Sequence, residues 1–141
     1  MSRAESENAI RNLVALFAHY ADTRNAKKYA ELFAPDGALL PPGAKVKAAD
    51  IEGFIKNIPD EFPKSWHTTS AHWIEMIGDD KARGGAYYVN FSEIAPDHWG
   101  AYTDEYSKVD GRWVFQTRRV TIDGTSESSP LRKLVDRLQE K

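Results

Sequence analysis

Four histidines, His19, His67, His72 and His98, are the side chains best suited to moving protons near neutral pH. A neutral imidazole accepts a proton there and an imidazolium returns it. His67 sits in Lys64-Ser65-Trp66-His67-Thr68-Thr69, where a segment rich in Thr, Trp and Ile begins. His72 comes five residues later, on the opposite face of a regular strand, so the two share a pocket only if a bulge intervenes. His19 falls near the end of the first helical stripe, and His98, beside Pro96-Asp97, reads as a loop residue. Asp22 comes directly after that first helix. It can hold the Nδ1–H of a histidine, fix the tautomer and stabilise the imidazolium formed on proton abstraction; the structural alternative is an ordinary helix-terminal aspartate. Arg118, in Phe115-Gln116-Thr117-Arg118-Arg119, can stabilise an anionic group or developing negative charge, or pair with a surface carboxylate. Tyr88 shares a strand face with Asn90, and either one, turned inward, can hydrogen-bond a ligand oxygen.

Several chemistries are excluded or disfavoured. Cysteine is absent, which removes disulfides, thiol nucleophiles and thiolate metal sites. The histidines are scattered and HExxH does not occur, so no metal is expected. Phosphate-loop, dinucleotide and serine-elbow patterns are also missing, and no cofactor is expected. A net charge of −2 gives no general attraction for nucleic acid or anionic lipid. The basic clusters at Arg112, Arg118 and Arg119 and at Lys45 and Lys47 are too short or interrupted to argue otherwise. The N-terminus lacks a secretory apolar core, and no apolar run reaches the roughly 20 residues that span a bilayer. A cytoplasmic location without membrane attachment is the expectation.

The elements that position these residues can be read from periodicity. With 141 residues, 41% of them hydrophobic, the chain is expected to form one domain over residues 1–141, its core within 5–122. Ile10, Leu13, Val14 and Phe17 form a helical stripe over residues 5–20,. A second helix is expected over 26–33, with Tyr29, Leu32 and Phe33 inward, ended by a turn at Pro35-Asp36-Gly37 before a short strand at 38–40. A third spans 49–58, with Asp50 as its cap, and Pro59 and Pro63 bound the connection to the first long strand. Strands are expected over 66–77, 82–94, 99–109 and 112–122, with Pro96-Asp97 interrupting the connection before the third. Gly84-Gly85 suits close packing, and Asp110-Gly111 is a strong hairpin signal. A plain two-residue loop there pairs Tyr106 with Phe115 and Thr103 with Arg118; a bulge instead brings Tyr102 or Asp104 beside Arg118. A last helix over 130–141 carries Leu131, Leu134, Val135 and Leu138 on one face. It is read as docking on the body or on a partner subunit, or as fraying. Helices first and a strand meander afterwards make an α+β domain.

Three stretches carry a resemblance: Leu16-Phe17-Ala18-His19-Tyr20-Ala21-Asp22, Tyr29-Ala30-Glu31-Leu32-Phe33-Ala34-Pro35-Asp36-Gly37, and Gly100 to Phe115 with its Tyr102-Thr103-Asp104-Glu105-Tyr106 core. With His67 and Arg118 they make the chain resemble the SnoaL-like branch of the nuclear transport factor 2-like superfamily over almost its whole length. The resemblance implies a cone-shaped, curved antiparallel sheet whose central pocket is closed by N-terminal helices. It also implies assembly as a homodimer or homotrimer. The pocket enzymes it looks most like, hexachlorocyclohexane dehydrochlorinase and bile-acid 7α-dehydratase, are cofactor-free lyases with an Asp-His dyad. That dyad falls on Asp22 and His67 here, and the cavity arginine on Arg118. Phe17 stands where those enzymes carry a lysine or a tyrosine, and Asn90 where the bile-acid enzyme carries a carboxylate, so the acid that assists the leaving group is missing.

The resulting expectation is a cofactor-independent lyase, a dehydratase or dehydrohalogenase. His67 abstracts a proton from a small cyclic or apolar substrate held among Phe17, Tyr88, Asn90 and Tyr102. An isomerase or cyclase using the same pocket is a close variant; a ligand-binding or protein-interaction domain without chemistry is the reading from another class. Trp99 and Trp113 on the outer sheet face would indicate a subunit interface. The geometric expectation is that Asp22 lies within hydrogen-bond reach of His67 Nδ1, beside an open cavity containing Arg118.

Overall fold

The computed structural model describes residues 1–60, 62 and 64–140. The boundary reading at Pro63 and the end of the last helix at Lys141 lie outside the described residues. Helix α1, Arg3–Asp22, starts at a capping box: the Glu5 N–H donates to Ser2 Oγ (3.1 Å) and the Ser2 N–H to Glu5 Oε2 (2.6 Å),. Its stripe of Ile10, Leu13, Val14 and Phe17 is buried. Helix α2, Ala26–Ala30, is capped by Asn25 and stops earlier than the sequence suggests. The Phe115 N–H donates to the Leu32 carbonyl (2.8 Å), so the chain is drawn onto the sheet and Phe33 opens strand β1, Phe33–Leu40. Strand β2, Val46–Lys47, leads directly into helix α3, Ala48–Lys56. Lys47 holds the cap position without a side-chain bond, and Asp50 lies inside the first turn. There its charge favours the positive end of the helix dipole instead of capping the helix.

The remaining strands are β3 (Trp66–Met76), β4 (Lys81–Ser92), β5 (Ala95–Val109), β6 (Arg112–Val120) and β7 (Gly124–Thr125). They form one sheet in the order β2-β1-β6-β5-β4-β3, with β7 pairing β5. The fold is the α+β cone expected, a curved sheet of 7 strands with the N-terminal helices against it. One ladder departs from the antiparallel rule: β1 runs parallel to β6.

Interruptions in the ladders give the sheet its curvature and decide which side chains face inward. In β3 the register shifts between Ser70 and Trp73, and Ala71 takes the left-handed conformation, φ 50°. Beyond it the parity is reversed, so His72, Ile74 and Met76 face the same side as His67. In the β5–β6 hairpin, Asp110 and Gly111 both have positive φ (51° and 76°), as a tight two-residue turn of this hand requires. Tyr106 pairs with Phe115 as a plain loop demands, but Gln116 is then skipped and Asp104 pairs with Arg118. The skipped residue meets the irregular part of β1. Gln116 Nε2 donates to Asp36 Oδ1 (3.1 Å), and a Cβ on Gly37 would lie 2.7 Å from the Gln116 carbonyl. Pro35-Asp36-Gly37 is therefore an irregularity within a strand and not a turn that ends a helix.

Two further expectations are corrected. Pro96, Asp97 and His98 belong to β5 and are not loop residues. Pro96 falls at the register shift after Asn90, where a residue without an N–H costs no ladder bond. Trp113 is buried, so it cannot mark an interface; Trp99 remains partly exposed. Close packing at Gly84 is observed: a Cβ there would collide with the Trp73 carbonyl and lie 3.1 Å from the Tyr106 ring.

Beneath the pocket Arg118 is 0% exposed. Its Nε and Nη2 donate to the two oxygens of Asp104, each at 2.8 Å, and Tyr106 Oη donates to the same carboxylate (2.7 Å). The guanidinium lies over the rings of Tyr102 (3.8 Å), Phe17 (4.4 Å) and Phe115 (4.4 Å). Removing one partner of a buried ion pair strands the other charge. Asp104→Ala is therefore expected to lower unfolding free energy by about 3–5 kcal/mol in chemical denaturation. The double variant Asp104→Leu, Arg118→Met should recover much of that loss.

Candidate active site

The end of α1 and the start of β3 meet at Asp22. Its carboxylate accepts from Ser65 Oγ (3.1 Å) and the His67 backbone N–H (2.9 Å), and lies 2.5 Å from His67 Nδ1. Burial opposes ionisation of Asp22, but the bonds from His67 and Ser65 outweigh it and hold the carboxyl below its usual range,. A carboxylate at Nδ1 places the imidazole hydrogen there and leaves Nε2 as a lone pair. His67 also lines a cavity of about 340 Å³. The dyad and the hollow are thus together.

The cavity walls are largely apolar. Phe17, Tyr29, Tyr88 and Tyr102 form an aromatic side, with Tyr88 and Tyr102 stacked at 4.6 Å. Leu39, Ile55, Ile58, Val120 and Ile122 form the aliphatic side. Pro130, Leu131 and Leu134 complete the wall, so the C-terminal segment with helix α4, Arg132–Gln139, docks on the body beside the pocket. At the rim Arg24 donates to the carbonyls of Pro59 (3.1 Å) and Phe62 (2.9 Å).

Not every expected side chain is free for a ligand. Arg118 is absent from the lining; it is engaged by Asp104 and meets the pocket only from behind the rings of Tyr102 and Phe17. The expectation of an arginine inside the cavity is corrected accordingly. The Tyr88 hydroxyl donates to the Thr121 carbonyl (2.8 Å). Gly100 permits this approach, since a Cβ on it would collide with the Thr121 carbonyl oxygen. His72 bonds Tyr106 Oη (3.2 Å) and takes no place in the lining, and His19 is exposed.

The residues that sequence reasoning missed are Asp97 and His98. With Pro96-Asp97 read as a break, His98 had no strand to aim it. In the structure His98 Nδ1 is 2.9 Å from Asp97 Oδ1, and both residues line the same cavity. Asn90 Nδ2 lies between the two histidines, 3.3 Å from His67 Nε2 and 3.4 Å from His98 Nε2. The available signal was the adjacent Asp-His pair itself. Among the described residues no group of three or more His, Asp or Glu side chains is arranged to hold a metal ion, and no helix is long and apolar enough to cross a membrane.

A curved sheet enclosing an apolar hollow, with an Asp-oriented histidine on its wall, defines a class of small pocket proteins. The chain belongs to the SnoaL-like domain family, whose model matches residues 2–119. Solved structures share the fold at low identity. A protein of unknown function with a cystatin-like fold from Nostoc punctiforme is 23% identical, with 89% of this chain and 94% of that one covered and a TM-score of 0.77. A candidate scytalone dehydratase from Novosphingobium aromaticivorans is 21% identical, with 88% of each chain covered and a TM-score of 0.78. Hexachlorocyclohexane dehydrochlorinase LinA-type3 from Novosphingobium barchaimii is 20% identical, with 88% and 90% covered and a TM-score of 0.74. Among proteins of curated function none matches.

Burial depresses the pKa of both His72 and His98, and for His98 the opposing pull of Asp97 does not compensate. Bases depressed on folding stabilise the protein above their unfolded pKa, about 6.5, and that stability is lost as pH falls through the lower folded value. The carboxyls of Asp22 and Asp97, also held low, add losses below about pH 4. Thermal melts across pH should show Tm falling on acidification below about pH 6.5, and falling less steeply in His72→Gln.

Proposed function

We propose that this protein is a cofactor-independent lyase of the dehydratase or dehydrohalogenase type. Its substrate is a small, neutral, cyclic or apolar molecule, and His67 is the base. The observation that carries this reading is the Asp22–His67 pair, joined through Nδ1 at 2.5 Å, on the wall of a ligand-sized cavity. His67 Nε2 takes a carbon-bound proton, Asp22 stabilises the imidazolium, and the electron pair left behind expels the neighbouring leaving group. Neutrality of the substrate is inferred from the walls: Asp97 is engaged by Ser92, His98 and Ser129, and Arg24 by two carbonyls at the rim. The Tyr102 hydroxyl, with Arg118 behind its ring, is the group suited to developing negative charge on the substrate.

Phe17 packs on Tyr29 (4.7 Å) and lines the cavity. It offers no proton to a leaving group, which favours two further readings: an isomerase returning the proton from His67, and a ligand-binding domain with an inherited dyad. Assembly into a homodimer or homotrimer is part of the proposal. It is supported by an outer face on which Trp66, Trp73, Tyr87, Phe91 and Trp99 are exposed on neighbouring strands, a clustered apolar surface of the kind that marks interaction sites.

A panel of cyclic alcohols, ketones and halides, screened by thermal shift and then by mass spectrometry for loss of water or hydrogen halide, tests the reading. His67→Ala should reduce turnover by about 10²–10⁴-fold with the fold retained; equal turnover by variant and parent removes His67 as the base. Asp22→Asn should lower kcat more than it changes KM. Sedimentation should give a dimer or trimer, with Trp73→Lys shifting it toward monomer.

A further inference from the structure

The proposed reaction leaves a second proton-handling pair unused. His98 is oriented through Nδ1 by Asp97 (2.9 Å). Asp97 is itself 4% exposed and accepts from Ser92 Oγ (2.9 Å) and Ser129 Oγ (2.6 Å). This carboxylate is fixed from three directions, by its own strand, by β4 and by the segment preceding α4. The Asn90 amide nitrogen can only donate, and it reaches Nε2 of both histidines. Both imidazoles therefore carry their hydrogen on Nδ1, against a carboxylate, and turn a lone pair toward the same point. The other end of that amide, Asn90 Oδ1, is buried and has no hydrogen-bond partner among the described residues. If either imidazole gains a proton, turning the amide presents this oxygen to the new Nε2–H and withdraws Nδ2 from the other imidazole, whose Nε2 lone pair is then released from that donor.

We propose that His98 is a second catalytic residue of the pocket, and that the two histidines work with one mobile proton, His67 taking the carbon-bound proton while protonated His98 delivers its own to the departing oxygen. This rests on the lyase reading and deepens it, because it supplies the acid that Phe17 cannot. The step balances. The C–H electron pair becomes the new double bond, and the C–O pair leaves with oxygen, which takes the His98 Nε2 proton and departs as water. The positive charge begins on His98, a form that burial disfavours and that gains population as pH falls, and ends on His67, and exchange with water through the pocket mouth restores the starting state. The groups facing His98 are Asp97 on its own strand, Asn90 and the edge-on Tyr88 ring (5.9 Å) from β4, and His67 from β3. A second positive charge on the facing imidazole is repelled across a single amide, so the pair holds one proton in preference to two. The substrate class narrows with it: a cyclic molecule bearing a hydroxyl leaving group next to an activated C–H.

Two measurements test this. Long-range nitrogen NMR on histidine-labelled wild-type protein should show His98 as the Nδ1–H tautomer, and His67→Gln should raise the midpoint of its titration. An Nε2–H tautomer, or a midpoint that does not move, overturns the proposal without touching the role of His67. The kinetic probes are a β-hydroxycyclohexanone, whose dehydration needs an acid at the leaving oxygen, and nitrobenzisoxazole, whose ring-opening needs only a base. His98→Gln should shift the ratio of the two rates by about 10²-fold or more against dehydration. It should also remove the alkaline limb of the dehydration pH profile, where the acid has lost its proton. An unchanged ratio overturns the proposal. Loss of neither activity in His67→Ala would instead overturn the lyase reading.

Discussion

One carboxylate ties the helical layer to the sheet at the place where chemistry is proposed. Asp22 ends α1 and accepts from Ser65, from the His67 backbone and from the His67 ring. Two of these bonds hold the chain entering β3, and the third sets the imidazole. Position and tautomer are therefore determined together: a helix end that moved would lose the strand and the orientation of the base at once. Hydrogen bonds to an ionised acceptor are among the stronger ones available, and here they are spent where precision matters.

The rest of the cavity depends on strand parity, because a one-residue slip sends every later side chain to the other face. The β3 bulge at Ala71 brings His72 to the side of His67, although a regular strand would separate them. The skipped Gln116 brings Arg118 opposite Asp104, which draws the arginine down into a buried ion pair under the aromatic wall. A cation held this way shapes Tyr102 from behind without meeting a ligand. The same geometry explains why Phe17 is compatible with the site: its ring fills the space between Tyr29, Tyr102 and Arg118.

Much of this architecture is legible from residue types. The stripe from Ile10 to Phe17, the Asp110-Gly111 hairpin and the pairing of Tyr106 with Phe115 come from period and turn chemistry, and the Asp22–His67 contact comes from the resemblance those segments carry. Two of the errors share one cause. Pro35-Asp36-Gly37 and Pro96-Asp97 have the composition of turns, yet both are absorbed into strands at register shifts, where neighbouring strands supply the bonds that local sequence cannot. Tertiary pairing overrides local propensity at such points. His98 was misplaced with its segment, and the second Asp-His pair was lost from view with it.

The pocket wall is not equally stiff all round. The side that carries His67, Tyr88, Asn90, His98 and Tyr102 is sheet, braced by long ladders, but Leu131 and Leu134 are carried by the C-terminal segment and the eight-residue α4, a length at which a helix has little stability of its own. Its seat depends on contacts such as that between Ser129 and Asp97. Widening the hollow on that side costs less than prising apart strands, so the girth of the guests this protein tolerates is governed there, while their alignment is governed by the strand-borne side chains.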